Sequence, residues 1–295
     1  MKGYISDVDH FAVHDGNGIR TIVYFSGCPL RCLWCHSPEL QSFDPILLRR
    51  AVRCKKCGTC NTVCPLGLVP EACKMEFRRE ECNVCGKCVD VCSNGALEVW
   101  GKACTLEEVL DEVLRDLPFF NNSGGGVTLS GGEVLSQPEF AIALARGIHD
   151  AGVNVIVETS GHGARDSLEE LSKYCRLFYD IKGFDNKAHL DNTGVSNEGI
   201  HENLRWLWQK GADITLRVPL IPGYNDSDEN IRKVYGLAAE LKVPVHLLPY
   251  NSSAPVKYAW VDEKYKPGDV LSQSEGRLKE LLDLASNDIQ VSVII

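Results

Sequence analysis

The spacing of its cysteines constrains this chain more than any other feature. Fourteen cysteines occur in 295 residues, and twelve of them fall between Cys28 and Cys92. All of those twelve except Cys73 sit in three runs, with neighbours three or four positions apart. A disulfide needs Cβ atoms about 3.5–4.5 Å apart with directed vectors, which thiols so closely strung cannot all satisfy. Disulfide frameworks also belong to short secreted chains. Thiolates at this spacing converge on metal, so metal centres in a reducing compartment are expected. Cys104 and Cys175, outside the stretch, read as small core thiols. Cys73 reads either as another or as a replacement ligand.

The rest of the chain has material for a globular core. Hydrophobic residues make up 44% and charged residues 24%, which excludes wholesale disorder. No apolar run approaches the roughly 18 residues of a membrane span. The opening residues lack the apolar stretch of a signal peptide. A net charge of −9 argues against a general nucleic-acid partner. A cytoplasmic protein with no membrane or nucleic-acid partner is the expectation.

Outside the cysteine-rich stretch, apolar runs alternate with helical patterns. Ile19–Phe25 and Gly126–Leu129 read as buried strands. Between them, Thr105-Leu-Glu-Glu108 is a capping box that opens a helix with apolar spacing to Leu117. Helix Pro138–Asp150 then precedes strand Val153–Glu158, and helix Ser167–Lys173 precedes strand Leu177–Ile181. Helix Ile200–Lys210 leads to strand Ile214–Pro219, and helix Ser227–Leu241 to strand Val245–Leu248. A last helix, about Ser272–Asn287, precedes a terminal strand Ile289–Ile295. Such alternation predicts βαβ units and a parallel sheet. Six main strands suit a partial, TIM-like (β/α)6 barrel, with a doubly wound open sheet as the alternative.

Polar residues gather where these strands stop. They are Ser130-Gly-Gly-Glu133, Glu158-Thr159-Ser160-Gly161, Asp180-Ile-Lys182, Arg217 and Pro249-Tyr-Asn251. In parallel α/β folds the carboxyl ends of the strands share one face, where active sites are built. Directly after the first strand comes Cys28-Pro-Leu-Arg-Cys32-Leu-Trp-Cys35. Three thiolates can hold three irons of a cubane and leave the fourth open, as catalysis requires. A closed zinc site completed by His36 is the competing reading.

Together, these motifs resemble the radical S-adenosylmethionine superfamily. The upstream Asp15-Gly-Asn-Gly-Ile-Arg20, with Gly124-Gly-Gly-Val-Thr-Leu-Ser-Gly-Gly-Glu133 and Arg217-Val-Pro-Leu-Ile-Pro-Gly-Tyr-Asn-Asp226, narrows the likeness. It is to the activating enzymes of glycyl radical enzymes, over nearly the whole chain. The resemblance implies that Cys28, Cys32 and Cys35 hold a catalytic 4Fe–4S cluster whose open iron chelates S-adenosylmethionine. It implies that Gly131, Gly132 and Glu133 meet the methionine amino group, with a carboxylate balancing an ammonium. Glu158, Thr159, Asp180, Lys182 and Arg217 would line the same cofactor. Asp15, Gly16, Gly18 and Arg20 match a loop that holds the partner's glycine segment. Asn251 stands where the family has a cofactor-contacting His, Asn17 where it has Pro, and Val134 where Pro often follows Gly-Gly-Glu.

Cys54-x2-Cys57-x2-Cys60-x3-Cys64 and Cys82-x2-Cys85-x2-Cys88-x3-Cys92 repeat one unit 28 residues apart. In the two-cluster bacterial ferredoxin pattern the fourth Cys of each run serves the other cluster. One auxiliary 4Fe–4S cluster then takes Cys54, Cys57, Cys60 and Cys92; the other takes Cys82, Cys85, Cys88 and Cys64. The expected organisation is a barrel of residues 1–52 and 103–295 around a ferredoxin-like insert at 53–102. The insert would relay electrons, with Lys55, Lys56, Lys74, Arg78 and Arg79 as a docking patch for reduced flavodoxin or ferredoxin. Interleaved Glu71, Glu76, Glu80 and Glu81 leave a merely solvated face open. The function expected is installation of a glycyl radical on a partner enzyme. Its rivals are radical chemistry on a small molecule or peptide, and non-catalytic electron transfer.

Overall fold

Seven apolar runs pair side by side in the order in which helices interrupt them. The computed structural model describes residues 1–74 and 77–294. Met75, Glu76 and Ile295, the last residue of the expected terminal strand, lie outside the described residues. The strands are β1 (Lys2–Ala12), β2 (Arg20–Phe25), β3 (Ile46–Arg49), β4 (Leu97–Trp100), β5 (Lys102–Thr105) and β6 (Gly126–Gly131). They continue with β7 (Asn154–Thr159), β8 (Arg176–Asp180), β9 (Ile214–Pro219), β10 (Val245–Leu248) and β11 (Val291–Val293). One sheet runs β5-β1-β2-β6-β7-β8-β9-β10-β11. From β2 to β11 every pairing is parallel, whereas β1 is antiparallel to both β2 and β5.

The two faces of the sheet decide between the two expected architectures. Val155, Val157, Leu177, Tyr179, Leu216, Val218, Val245 and Leu247 form one core with Leu144, Ile148, Leu168, Leu204, Val234 and Leu237. Those partners come from the crossover helices Pro138–Asp150, Arg165–Ser172, Glu198–Gln209 and Asp228–Leu241. The alternate residues Ile156, Phe178, Thr215, Arg217, His246 and Leu248 instead line a cavity of about 790 Å³. A sheet covered by helices on one face and hollow on the other is a partial barrel; a doubly wound sheet would be covered on both.

The structure adds elements beyond the alternation. Strand β1 supplies an antiparallel flank. The helix begun at Thr105 stops at Leu114, and a second helix, Leu117–Ser123, follows Asp116. The capping box itself is present, with both Thr105 and Glu108 side chains bonded to the reciprocal backbone N–H. Helices Asn186–Thr193 and Ala254–Trp260 complete the rim.

Residues 50–74 and 77–96 hang from a neck made by β3 and β4, antiparallel, with Ile46 opposite Trp100 and Arg49 opposite Leu97. The neck begins at Ile46 rather than at residue 53, and Lys102 already belongs to the large sheet. Leu47, Cys60, Leu68, Phe77 and Leu97 form a small separate core. The sequence repeat reappears in the backbone: Lys56 and Val84 take φ of 58° and 51°, and Gly58 and Gly86 take 73° and 78°. Each pair is 28 residues apart, so the two halves turn alike.

Candidate active site

The loop that carries the first three thiols is held at both ends by backbone. Gly132 N–H donates to Phe25 O at 2.9 Å, and Glu133 N–H donates to Gly27 O at 2.9 Å. This close approach requires glycine. A Cβ on Gly131 would lie 2.4 Å from Phe25 N, and one on Gly132 would lie 2.3 Å from Gly27 O. Gly131 also sits at φ +117°. On the far side, Arg31 N–H donates to Thr193 O at 2.7 Å and Leu33 N–H to Asn192 O at 2.9 Å. The end of helix Asn186–Thr193 therefore buttresses Cys28–Cys35. Trp34, inside the loop, packs edge-on against Tyr224, with ring centroids 5.3 Å apart.

Burial pushes the Cys28 and Cys32 thiols up to about 12, and raises that of Cys35 as well. Ligation must therefore expel protons from thiols that otherwise keep them. Among the described residues, Cys28, Cys32, Cys35 and His36 offer no three ligand atoms within 4.8 Å of one another. A tetrahedral zinc site, with bonds of about 2.3 Å to sulfur, would draw its thiolates to about 3.8 Å. As they stand, these atoms are not gathered into a tetrahedral set. His36 points its unpartnered Nε2 into the interior, and burial, with Lys257 and Lys182 nearby, depresses it to about 4.

Glu133 is 2% exposed, and all its acceptor positions are used within the protein. Its Oε1 accepts from Leu135 N at 3.1 Å and Thr159 Oγ1 at 2.7 Å. Its Oε2 accepts from Ser160 N at 2.8 Å and Ser160 Oγ at 2.5 Å. Through these bonds Glu133 and Thr159 bolt the end of β6 to the end of β7. Beside them, Glu158 accepts from Ser130 Oγ at 2.6 Å and forms an ion pair with Arg217. Lys182 pairs with Asp180 at 2.8 Å. Burial opposes the Lys182 charge, but the Asp180 carboxylate, with Cys32 and Cys28 nearby, outweighs it, so its pKa is raised. Asp180 Oδ1 and Arg217 Nε face each other at 4.0 Å, both buried and unpartnered. Two opposed orphan groups fit polar parts of a ligand. Asn225, which sequence reasoning missed, fixes this rim by donating to Lys182 O at 3.1 Å and Pro219 O at 2.7 Å.

Two other expected site residues are engaged within the protein as well. Arg20 is fully buried and donates to Thr128 Oγ1 at 2.7 Å, Val127 O at 2.6 Å and Asn154 Oδ1 at 2.9 Å. It is a strut beneath the Asp15–Gly18 loop and has no free face for a partner. Gly16 and Asn17 do line the cavity mouth, and Asp15 O accepts from Thr128 Oγ1 at 3.0 Å. Asn251 is exposed and its Oδ1 accepts from Ser253 N at 2.9 Å, a turn that opens helix Ala254–Trp260.

The chain matches the radical SAM superfamily over residues 85–234. It is 39% identical to the isethionate sulfite-lyase activating enzyme of Oleidesulfovibrio alaskensis over 280 residues, covering 91% of this chain and 90% of that protein. It is 38% identical to the trans-4-hydroxy-L-proline dehydratase activating enzyme of Clostridioides difficile over 295 residues, covering 97% and 98%. The chain is a glycyl radical enzyme activating enzyme of the radical S-adenosylmethionine superfamily. Its fold is shared by Streptococcus suis SuiB bound to precursor peptide SuiA, with a TM-score of 0.56 at 14% identity, covering 92% of this chain and 48% of that one. The activating enzyme takes a 4Fe–4S cluster and S-adenosylmethionine and acts on a glycyl radical enzyme. A 4Fe–4S cluster held by Cys28, Cys32 and Cys35 with S-adenosylmethionine beside it would supply the one-electron chemistry by which a glycyl radical is installed on the partner enzyme. No helix among the described residues is long and apolar enough to cross a membrane.

Proposed function

We propose that the activating enzyme works with three 4Fe–4S clusters, one at Cys28, Cys32 and Cys35 and two in the insert. The observation that carries this reading is a pair of small cavities in the insert. One is lined by Cys54, Cys57, Cys60 and Cys92, the other by Cys64, Cys82, Cys85 and Cys88. These are the two quartets of the crossed ferredoxin pattern. Cys73 lies 3.2 Å from Glu71 Oε1, in a group with Cys54, and serves as a neighbour of the first quartet. Closed four-thiolate clusters have no open iron for substrate, so their work is to relay electrons.

S-adenosylmethionine binds where the strand ends meet the thiol loop. Gly131 and Gly132 offer backbone at close range, while Asp180, Lys182, Glu158 and Arg217 orient the charged and hydroxylated groups of the ligand. The partner's glycine segment enters the 790 Å³ cavity past Gly16 and Asn17. Reduced flavodoxin or ferredoxin delivers electrons at the insert, where Cys57 and Cys85 are exposed. Lys55, Lys56 and Lys74 remain exposed for docking. Arg79 leaves the expected patch because it is engaged with Asp262, and Glu76 lies outside the described residues.

Anaerobic reconstitution followed by iron and sulfide analysis tests the reading. The wild-type chain is expected to hold about twelve irons, four per cluster. Replacing Cys28, Cys32 and Cys35 by Ala should remove about four irons and abolish deoxyadenosine formation. A wild-type content of about four irons would end the auxiliary-cluster reading.

A further inference from the structure

We infer that Asp262 pins the cysteine-rich insert against the catalytic loop and thereby sets how fast electrons entering the insert reach S-adenosylmethionine. Asp262 lies just beyond helix Ala254–Trp260, at φ +60°, and its two oxygens grip two arginines of the neck and insert. Arg49 Nη1 donates to Oδ1 at 2.6 Å, and Arg79 Nη2 donates to Oδ2 at 2.6 Å. Arg49 is 2% exposed, stacks 4.5 Å above the Phe77 ring and also donates to Glu71 O at 2.8 Å. Arg79 further donates to Leu47 O at 2.7 Å. Arg50 lies over the Trp260 ring at 4.7 Å.

The same short helix holds the catalytic side. Lys257 Nζ donates to the buried Glu39 at 2.8 Å and to Ser37 Oγ at 3.3 Å, just past Cys35. Tyr258 packs in one cluster with Trp34 and Tyr250. One rigid piece of chain thus touches the thiol loop at one end and the insert at the other. A charged Arg49 buried without Asp262 would be uncompensated, so the pin opens reluctantly. Because Asp and Asn both tolerate the left-handed region, Asp262→Asn removes the charge without disturbing the turn.

One electron leaves the reduced protein donor, passes through the insert and the catalytic cluster, and enters the carbon–sulfur bond of S-adenosylmethionine. The rate claim rests on the relay reading given above, and the pin can be read separately.

Hydrogen–deuterium exchange on the full-length protein reads the pin. In Asp262→Asn, amides of 46–49 and 77–79 and of helix Ala254–Trp260 should exchange about ten- to a hundredfold faster, with β6–β9 unchanged. In the reconstituted enzyme, deoxyadenosine formation driven by reduced flavodoxin should fall about tenfold or more, while single-turnover cleavage by the pre-reduced enzyme stays at the wild-type rate. Asp262→Glu should recover part of both, and the milder Arg79→Gln guards against a variant that fails to fold. Unchanged exchange at the seam overturns the pin. Equal loss by both electron routes overturns the positioning role. Iron content in the wild type separates these results from failure of the relay itself.

Discussion

Glu133 shows how far a residue's role can depart from its charge. Its neighbours supply four donors, two from backbone and two from hydroxyls, reaching from Leu135 to Ser160. A buried carboxylate so satisfied holds two strand ends in register. In Glu133→Gln one terminus becomes a donor facing donors, which should cost about 1–3 kcal/mol in chemical denaturation. S-adenosylmethionine binding, followed by calorimetry, should weaken with it. A variant as stable as wild type would show that the bolt carries no load. His10 is a second such residue. It lies 2.5 Å from Asp116 and 3.2 Å from Glu112. The Asp116 hydrogen bond raises its pKa against the opposing effect of burial. A raised folded-state pKa adds stability that is complete below the unfolded value near 6.5 and fades as pH climbs through the folded one. Wild type should therefore lose its advantage over His10→Gln across that rise. A constant difference in denaturation midpoints from pH 5 to 8.5 would refute the coupling.

At the level of elements, the sequence exposes what is periodic and hides what is borrowed. Helix Pro138–Asp150 and strands Ile214–Pro219 and Val245–Leu248 appear at the expected bounds because their apolar residues face a core. Helix Asn186–Thr193 has almost no apolar stripe. Only the Asp185 cap and the left-handed Gly194 mark its ends. Helix Ala254–Trp260 is short and begins with a Pro in its first turn. Strand β1 carries Lys2, Asp7 and Asp9 among its apolar residues, so its alternation is blurred. The site follows the same division. The glycines, thiols and strand-end charges are legible, whereas the Glu158–Arg217 and Glu133–Ser160 pairings depend on register between strands. Gly131 is the junction where these levels meet. Gly131→Ala adds a Cβ 2.4 Å from Phe25 N at φ +117° and should destabilise the sheet by about 1–3 kcal/mol or more. It should also lower iron uptake at the neighbouring thiol loop, measured after reconstitution, while the insert keeps its share.

Across the whole molecule, the large sheet with its hollow face and the cysteine-rich insert have separate cores. Replacing residues 51–95 by a short Gly-Ser linker, with β3 and β4 kept, should leave the barrel folded. Dithionite-driven cleavage of S-adenosylmethionine should survive, and cleavage driven by reduced flavodoxin should fall sharply. Equal loss of both would mean that the barrel depends on the insert for its own integrity. Salt separates docking from relay: if the exposed Lys55, Lys56 and Lys74 guide an acidic donor, its reduction rate should drop between 50 and 300 mM salt, as screening tightens below about 10 Å. A flat response removes the basic patch from the account.

Ile46 and Trp100 stand opposite each other across two strands, so the polypeptide leaves the barrel and returns to it through one doorway. A gene could gain or shed the whole cysteine-rich module there in a single splice, with no strand of the large sheet reordered. Ancestry of the barrel and ancestry of the insert are thus free to differ.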